Sequence, residues 1–467
     1  MSGRLRAGTA KIDITAPFTV PYLGYVPRQA YFEGVHDPLY ARALYLERDG
    51  QAAAIVSLDM IGVSKNLPNG DLRHRVLERV GGRLNLTADT LLFCASHSHS
   101  TPELAGLTSL HHLDEARAWL NDLAADLAEC LVDAANAAQP TEVRLGRGAI
   151  ETISANRRVL DKNGVLYKPP DRIPPEDMAR PAPIDPEVNV VRFDFADGSH
   201  SALMNFTCHP TTVQVNPLVS ADYPGVAAAT VEKDSEGCRE CLFIQGTCGD
   251  INPIGGSAVP DFEAVESNGT ALGRETVRVL DEIAGCEPSP EAPLRISARE
   301  LEFPRRDLPH PSPLSEHAQD AIGRACDLVD GITEAEGGER VDELSQAARQ
   351  TLVSARVMIE QLAEIARGPD PIRSTQHVIR LGDLAIVGIP GEPFSRLGMA
   401  IKSQSPAERT VCAAYTNDYV GYLSDSESFA EGGYEVSLGP WCPVGPRGGA
   451  VVVQGALDQL AELWART

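Results

Sequence analysis

Leu91-Leu92-Phe93-Cys94-Ala95-Ser96-His97-Ser98-His99-Ser100 is the stretch on which the reading of this chain turns. The first five residues are apolar and the next five are small or polar, the pattern of a short buried strand and the turn that ends it. Residues i and i+2 of a strand point to one face. If the strand conformation continues, His97 and His99 project side by side. Neutral imidazole is the commonest metal ligand in proteins, so the pair reads as a metal-binding or catalytic couple. On these ten residues alone, two polar side chains on a loop is an equal alternative.

Short apolar runs and helical patterns alternate around this segment. Ala52–Leu58 reads as a strand that ends at Asp59. Residues 114–136 read as an amphipathic helix, with Leu120, Leu123, Leu127, Leu131 and Ala134 at three- and four-residue steps. Asn189–Phe193 and Ser201–Phe206 read as a hairpin about Ala196-Asp197-Gly198, and Val378–Leu381 and Leu384–Ile389 as a second about Gly382-Asp383. Cys241–Gln245 reads as a strand and Glu263–Ile283 as a helix. Two helical segments near 314–330 and 341–367, separated by Gly337-Gly338, suggest a helical hairpin inserted over residues 305–370. The expectation is a mixed α/β or α+β chain with mixed sheets and no internal repeat.

The chain has 467 residues, 43% of them hydrophobic, enough to bury a substantial core. Its formal net charge of −24 repels phosphate backbones and anionic lipid, which argues against nucleic acid as a partner. No apolar stretch is long enough to span a bilayer, so no membrane insertion is expected. Met1–Thr9 is polar and leads straight into a strand-like Ala10–Ile14, so no secretory signal is expected. The ten cysteines lack a framework spacing, and Cys238-x-x-Cys241 has no second pair. They read as reduced thiols in a cytoplasmic protein. Self-association into a homo-oligomer is left open.

Four more segments share one design, a strand followed by a polar turn with groups suited to metal binding or catalysis. They are Thr207-Cys208-His209-Pro210 with Ser220-Ala221-Asp222; Gly246-Thr247-Cys248-Gly249-Asp250-Ile251-Asn252-Pro253; Pro390-Gly391-Glu392-Pro393; and Thr416-Asn417-Asp418-Tyr419-Val420-Gly421-Tyr422. Strand ends on one side of an open α/β sheet are where side chains converge. Singly, each has a plain structural reading. His209 suits a hydrogen-bonded core histidine, Asp250 an Asx turn, Glu392 a solvated loop and Tyr422 a half-buried core residue. Their joint occurrence favours a site.

That series resembles the neutral/alkaline ceramidases, zinc-dependent hydrolases of the N-acyl bond of ceramide. Gly8–Tyr25 looks like the family's opening strand and turn, and Gly34-Val35-His36 with Ala41-Arg42-Ala43 like its next segment. Ser96–Ser100 looks like its T-H-T-H-S-G-P element, Asn156-Arg157 like its N-R pair and Pro390-Gly391-Glu392 like its P-G-E-F element. Cys208-His209 and Ser220-Ala221-Asp222 also have counterparts there. The resemblance implies one large catalytic domain over 1–467. It also implies a zinc ion (Zn2+) held by His97, His209, Glu392 and Tyr422, with Tyr419 as the alternative tyrosine. Two imidazoles, a carboxylate and a phenolate form a plausible N/O zinc shell. Family pattern further places His99, Arg157 and Tyr434 near the reacting carbonyl.

Two departures shape the expected chemistry. Asn252 stands where the family carries its proposed serine nucleophile, and little chain remains after Tyr434 for the immunoglobulin-like domain that usually follows. The expectation is therefore a zinc-dependent hydrolase that cleaves an amide or ester of a small or polar substrate by metal-activated water. His99 would be its general acid or base, Arg157 and Tyr434 its oxyanion or substrate partners, and Asn252 an orienting amide. Asp222 and Asp250 are expected to hold histidine tautomers or turns. Asn156, His36 and Asp59 are expected to contact substrate, His36 and Asp59 from the rim. The alternatives are an N-acyl-lipid (ceramide-type) amidohydrolase, a metal-dependent lyase or isomerase on a carbohydrate-derived acid, and an inactive metal-binding homologue.

Overall fold

The computed structural model describes residues 3–18, 20, 32–67, 70–102, 104–105, 114–167, 174–214, 216–254, 261–289, 294–306, 370–437, 439 and 441–465. The helical hairpin expected within 305–370 lies outside the described residues, apart from its two ends.

Two sheets form the centre. The larger has eight strands in the spatial order Cys238–Gln245, His200–Phe206, Glu187–Phe195, Gln139–Ala149, Arg6–Asp13, Tyr40–Arg48, Gln51–Leu58 and Leu91–Ala95. The smaller has four, in the order Leu294–Phe303, Ile372–Leu381, Leu384–Gly388 and Arg409–Ala413. Both expected hairpins are present. Phe193 pairs Ser201 in one, and Leu381 pairs Leu384 about Gly382 in the other, where φ is +62°.

Alternation within the strands explains the layering. Leu91, Phe93 and Ala95 join one buried cluster, while Leu92 and Cys94 join another. The second cluster lies between the sheets and brings Leu44, Ile55, Leu203 and Ile244 against Ile379, Leu384, Ile386 and Val411. The first cluster seats the helices Asp114–Asn136, Asp222–Asp234 and Phe262–Ala284 on the outer face of the large sheet. The helices Ser395–Gln404 and Gly448–Ala465 cover the small sheet in the same way. The result is a four-layer α/β/β/α sandwich. Strands covered on both faces have no polar side, which is why 91–95 and 241–244 read as unbroken apolar runs.

The helix at 114–136 has the bounds its leucine spacing predicts, and Leu120, Leu123, Leu127 and Leu131 are all buried. Each fully buried leucine contributes about 1.5–3 kcal/mol of burial free energy. Asp261 caps the helix at 262–284, accepting from the Ala264 amide at 2.9 Å.

Three parallel strand pairs position the site: Gln51–Leu58 with Leu91–Ala95, His200–Phe206 with Cys238–Gln245, and Leu384–Gly388 with Arg409–Ala413. Their carboxyl ends meet. The Ala414 amide donates to the Gln245 carbonyl at 2.9 Å, the Asn417 amide to Phe93 at 2.9 Å, and the Thr416 amide to Ile389 at 3.0 Å. Among the described residues no helix is long and apolar enough to cross a membrane.

Candidate active site

The strand at 91–95 ends at Ala95, and His97 turns into the left-handed region with φ +68°. Strand alternation therefore does not align the two histidines, contrary to the sequence expectation. A turn does so, held by Ser96 and His97 amides that donate to the Leu58 and Met60 carbonyls at 2.8 Å each. It brings His99 Nε2 to 3.2 Å from His97 Nε2. His209 arrives from the strand at 200–206, and the ligand atoms of His97, His99 and His209 all lie within 4.8 Å of one another.

Glu392 completes the cluster. Its Oε2 is 3.5 Å from His97 Nε2 and 3.6 Å from His209 Nε2. A tetrahedral zinc with bonds of about 2.0–2.1 Å spaces its ligand atoms about 3.3–3.4 Å apart, so these separations suit a shared ion. The ring tautomers suit it too. His97 Nδ1 bonds the Ile61 carbonyl, and His209 Nδ1 bonds the Cys248 carbonyl at 2.9 Å. A carbonyl only accepts, so each Nδ1 carries the proton and each Nε2 turns a lone pair inward. His209 Nε2 is buried and has no hydrogen-bond partner among the described residues. Burial, then Arg157, His97 and His99, hold His209 well below the usual histidine pKa, in the neutral form a metal requires. Burial pushes the Glu392 carboxyl up, but His97, Tyr419 and Arg157 together outweigh it and hold it below its ordinary value.

Tyrosines wall this centre. Tyr422 stands opposite Glu392 in a two-residue parallel ladder, and its hydroxyl accepts from Arg157 Nη2 at 2.8 Å. Tyr419 donates its hydroxyl to Glu392 Oε1. The Tyr415 ring stacks on His97 at 3.9 Å, and its hydroxyl lies 3.4 Å from Glu392 Oε2. Tyr434 is 44% exposed, edge-on to Tyr422 at 6.0 Å and stacked on Trp441 at 5.2 Å.

The turn at 246–253 carries the remaining groups. Arg157 Nη1 donates to Asn252 Oδ1 at 3.1 Å and Nη2 to the Gly249 carbonyl at 2.6 Å. Asp250 accepts from the Ser395 amide at 2.7 Å and from Asn156 Nδ2 at 2.9 Å. Asp222 accepts from the Tyr223 and Val213 amides. Both aspartates thus hold turns, whereas backbone carbonyls fix the histidine tautomers.

Two residues expected to contact substrate are engaged by the protein itself. Asp59 is buried, accepts from the Tyr40 amide at 2.9 Å and pairs with Arg42 at 3.3 Å, so it is not at a rim. The Asn156 amide donates to the Pro183 carbonyl and to Asp250, and its oxygen accepts from the Arg158 amide, so it locks the chain. His36 is exposed, bonded to Asp37 at 2.8 Å and stacked on Phe262 at 3.8 Å. Tyr415, Glu435 and the Ile61 and Cys248 carbonyls were not singled out from sequence. A backbone carbonyl has no residue signature, and Tyr415 sits in an apolar run that resembles ordinary core.

Residues 5–264 match the family described as neutral/alkaline non-lysosomal ceramidase, N-terminal, which is more than half the chain. The protein belongs to that family. It is 26% identical to the neutral ceramidase of Mycobacterium tuberculosis, over 92% of this chain and 73% of that one. It is 24% identical to the neutral ceramidase of Drosophila melanogaster, over 54% of this chain and 36% of the fly protein. The fold is shared with the crystal structure of neutral ceramidase from Pseudomonas aeruginosa, at a TM-score of 0.72 and 21% identity, over 99% of this chain and 75% of that chain.

Proposed function

We propose that this protein is a zinc-dependent amidohydrolase that cleaves the N-acyl bond of a ceramide-type lipid. The relatives are named neutral ceramidases, which favours this substrate class over a small polar amide or ester. The observation that carries the reading is the inward pair of Nε2 lone pairs, His97 and His209, sharing one Glu392 oxygen at 3.5 and 3.6 Å. His97, His209 and Glu392 would hold the ion, with Tyr422 alongside. A bound zinc supplies Lewis acidity for a carbonyl and acidifies water.

The chain's own groups support amide cleavage. Water adds to the acyl carbon, the C–N bond breaks, and the amine leaves with a proton, giving a carboxylic acid and a free amine. His99 stands beside the metal-binding imidazoles and is only partly buried, the place for a group that moves that proton. The Asn252 oxygen accepts from Arg157, so the NH₂ is the donor end that this side chain would offer a substrate. An amide at this position cannot supply the oxygen nucleophile that a serine would, so water attacks directly.

Elemental analysis of purified wild-type protein and of His209→Ala tests the reading, with hydrolysis of a short-chain N-acylsphingosine and of amide, ester and lactone panels followed by product mass. About one zinc per chain, absent from the variant together with amide turnover, is expected. A metal-free variant with full activity would overturn it.

A further inference from the structure

Glu435 lies outside the cluster that binds the metal, yet it is completely buried between two arginines that converge on the site. Its Oε1 is 2.9 Å from Arg157 Nε, an ion pair that is not aligned as a hydrogen bond, and its Oε2 accepts a hydrogen bond from Arg158 Nη1 at 2.6 Å. Arg158 in turn donates Nη2 to the Ser428 and Gly432 carbonyls at 2.9 and 2.8 Å, fastening the segment that carries Glu435. Arg180 reinforces it through Glu431 at 2.8 Å.

The consequence falls on Arg157. A guanidinium has five N–H groups in a rigid plane, so a buried carboxylate held against its Nε edge by charge constrains where the other edge points. With Glu435 behind it, Arg157 aims Nη2 at the Tyr422 hydroxyl and the Gly249 carbonyl, and Nη1 at the Asn252 oxygen. Both Nη2 hydrogens are thereby engaged by the protein. Arg157 presents the tyrosine and the asparagine to the site, and Glu435 determines where it does so. We propose that Glu435 is a positioning residue for amide cleavage, acting through Arg157 on Tyr422 and Asn252. The proposal rests on the amidohydrolase reading for its kinetic consequence but not for its geometric one. Tyr434, immediately before Glu435 and half-exposed, is located by the same anchor.

The test compares Glu435→Gln, which keeps the shape and removes the charge, with Glu435→Ala and with Arg157→Lys, alone and combined with Glu435→Gln. Thermal melts establish folding, and zinc stoichiometry establishes that the metal ligands are intact. In folded, zinc-loaded Glu435→Gln, kcat on a short-chain N-acylsphingosine is expected to fall by about 100-fold, the loss typical of a small misplacement of reacting groups, with KM within about twofold. The double variant should be no slower than the slower single one, because both act through one guanidinium. Crystal structures of the Glu435 variants should show the Arg157–Tyr422 contact opened. Wild-type kcat in Glu435→Gln, or an unmoved Arg157 in Glu435→Ala, overturns the proposal. If the wild type hydrolyses no amide, the functional reading fails instead, and the crystallographic comparison alone decides whether Glu435 positions Arg157.

Discussion

Gly249→Ala perturbs the site without replacing any proposed metal ligand or any ionisable side chain. The Gly249 amide donates to the Pro393 carbonyl at 2.9 Å, which presses the 246–253 turn against the strand that carries Glu392. A Cβ on residue 249 would lie 2.8 Å from the Glu392 carbonyl oxygen, 3.0 Å from that of Pro393 and 3.1 Å from Phe394 Cδ1. Ordinary contact begins at 3.4 Å, so the strand must retreat by about 0.6 Å or the turn must open. Metal–ligand distances tolerate only about 0.2 Å, and a retreat of this size carries the Glu392 carboxylate away from the two imidazoles. Overpacking of this kind costs about 1–3 kcal/mol of stability. The functional loss should be larger, with zinc affinity reduced by at least about tenfold and the amide rate by about 10- to 100-fold. Urea melts, zinc competition titration and initial rates measure the three quantities. Gly82→Ala, with open space around the new Cβ, is the control. Wild-type zinc affinity and rate in Gly249→Ala would refute the argument that this backbone contact sets the carboxylate.

Tyr419→Phe removes the hydroxyl that bonds Glu392 Oε1 and should weaken zinc binding by about 10- to 100-fold, read by competition titration. Unchanged affinity would mean that the tyrosine does not orient the carboxylate. Acid should destabilise the fold through two buried histidines, His200 and His377, that lie outside the His97–His99–His209 group. Burial, helped by Arg192, lowers His200 to about 4, and burial, helped by Arg73, lowers His377 to about 4. Both are neutral when folded, so their contribution is intact above pH about 6.5 and is lost as pH falls toward 4. The loss is about 2 kcal/mol per histidine by pH 5, and urea melts between pH 8 and 5 measure it. Stability as acid-sensitive in His200→Gln and His377→Gln as in wild type would assign the effect to other groups.

Much of the architecture was legible locally. The leucine steps of 114–136 place one stripe on the sheet, and the two hairpins follow from alternation broken by Gly198 and Gly382. The design of strand then polar turn also marked the five segments that meet in the site. What sequence spacing did not show was how they meet. Asp59 follows a strand and looks available, but Arg42 and the Tyr40 amide enclose it. Asn156 looks like a substrate ligand, but Asp250 and the Pro183 carbonyl, distant in sequence, occupy its amide. Glu435 shows no periodic or motif signal, because its role is a contact with residues about 280 positions earlier.

The sequence by itself determined the mixed α/β or α+β class, the buried strands and the chemical types at their ends, because periodicity and donor identity are local properties of the chain. Only the tertiary structure decided which ring nitrogen faces inward, which carboxylate oxygen both imidazoles share and which polar groups serve the fold instead of the site. Those outcomes depend on carbonyls and charges brought together across strands, helices and turns, where separation along the chain carries no information about separation in space.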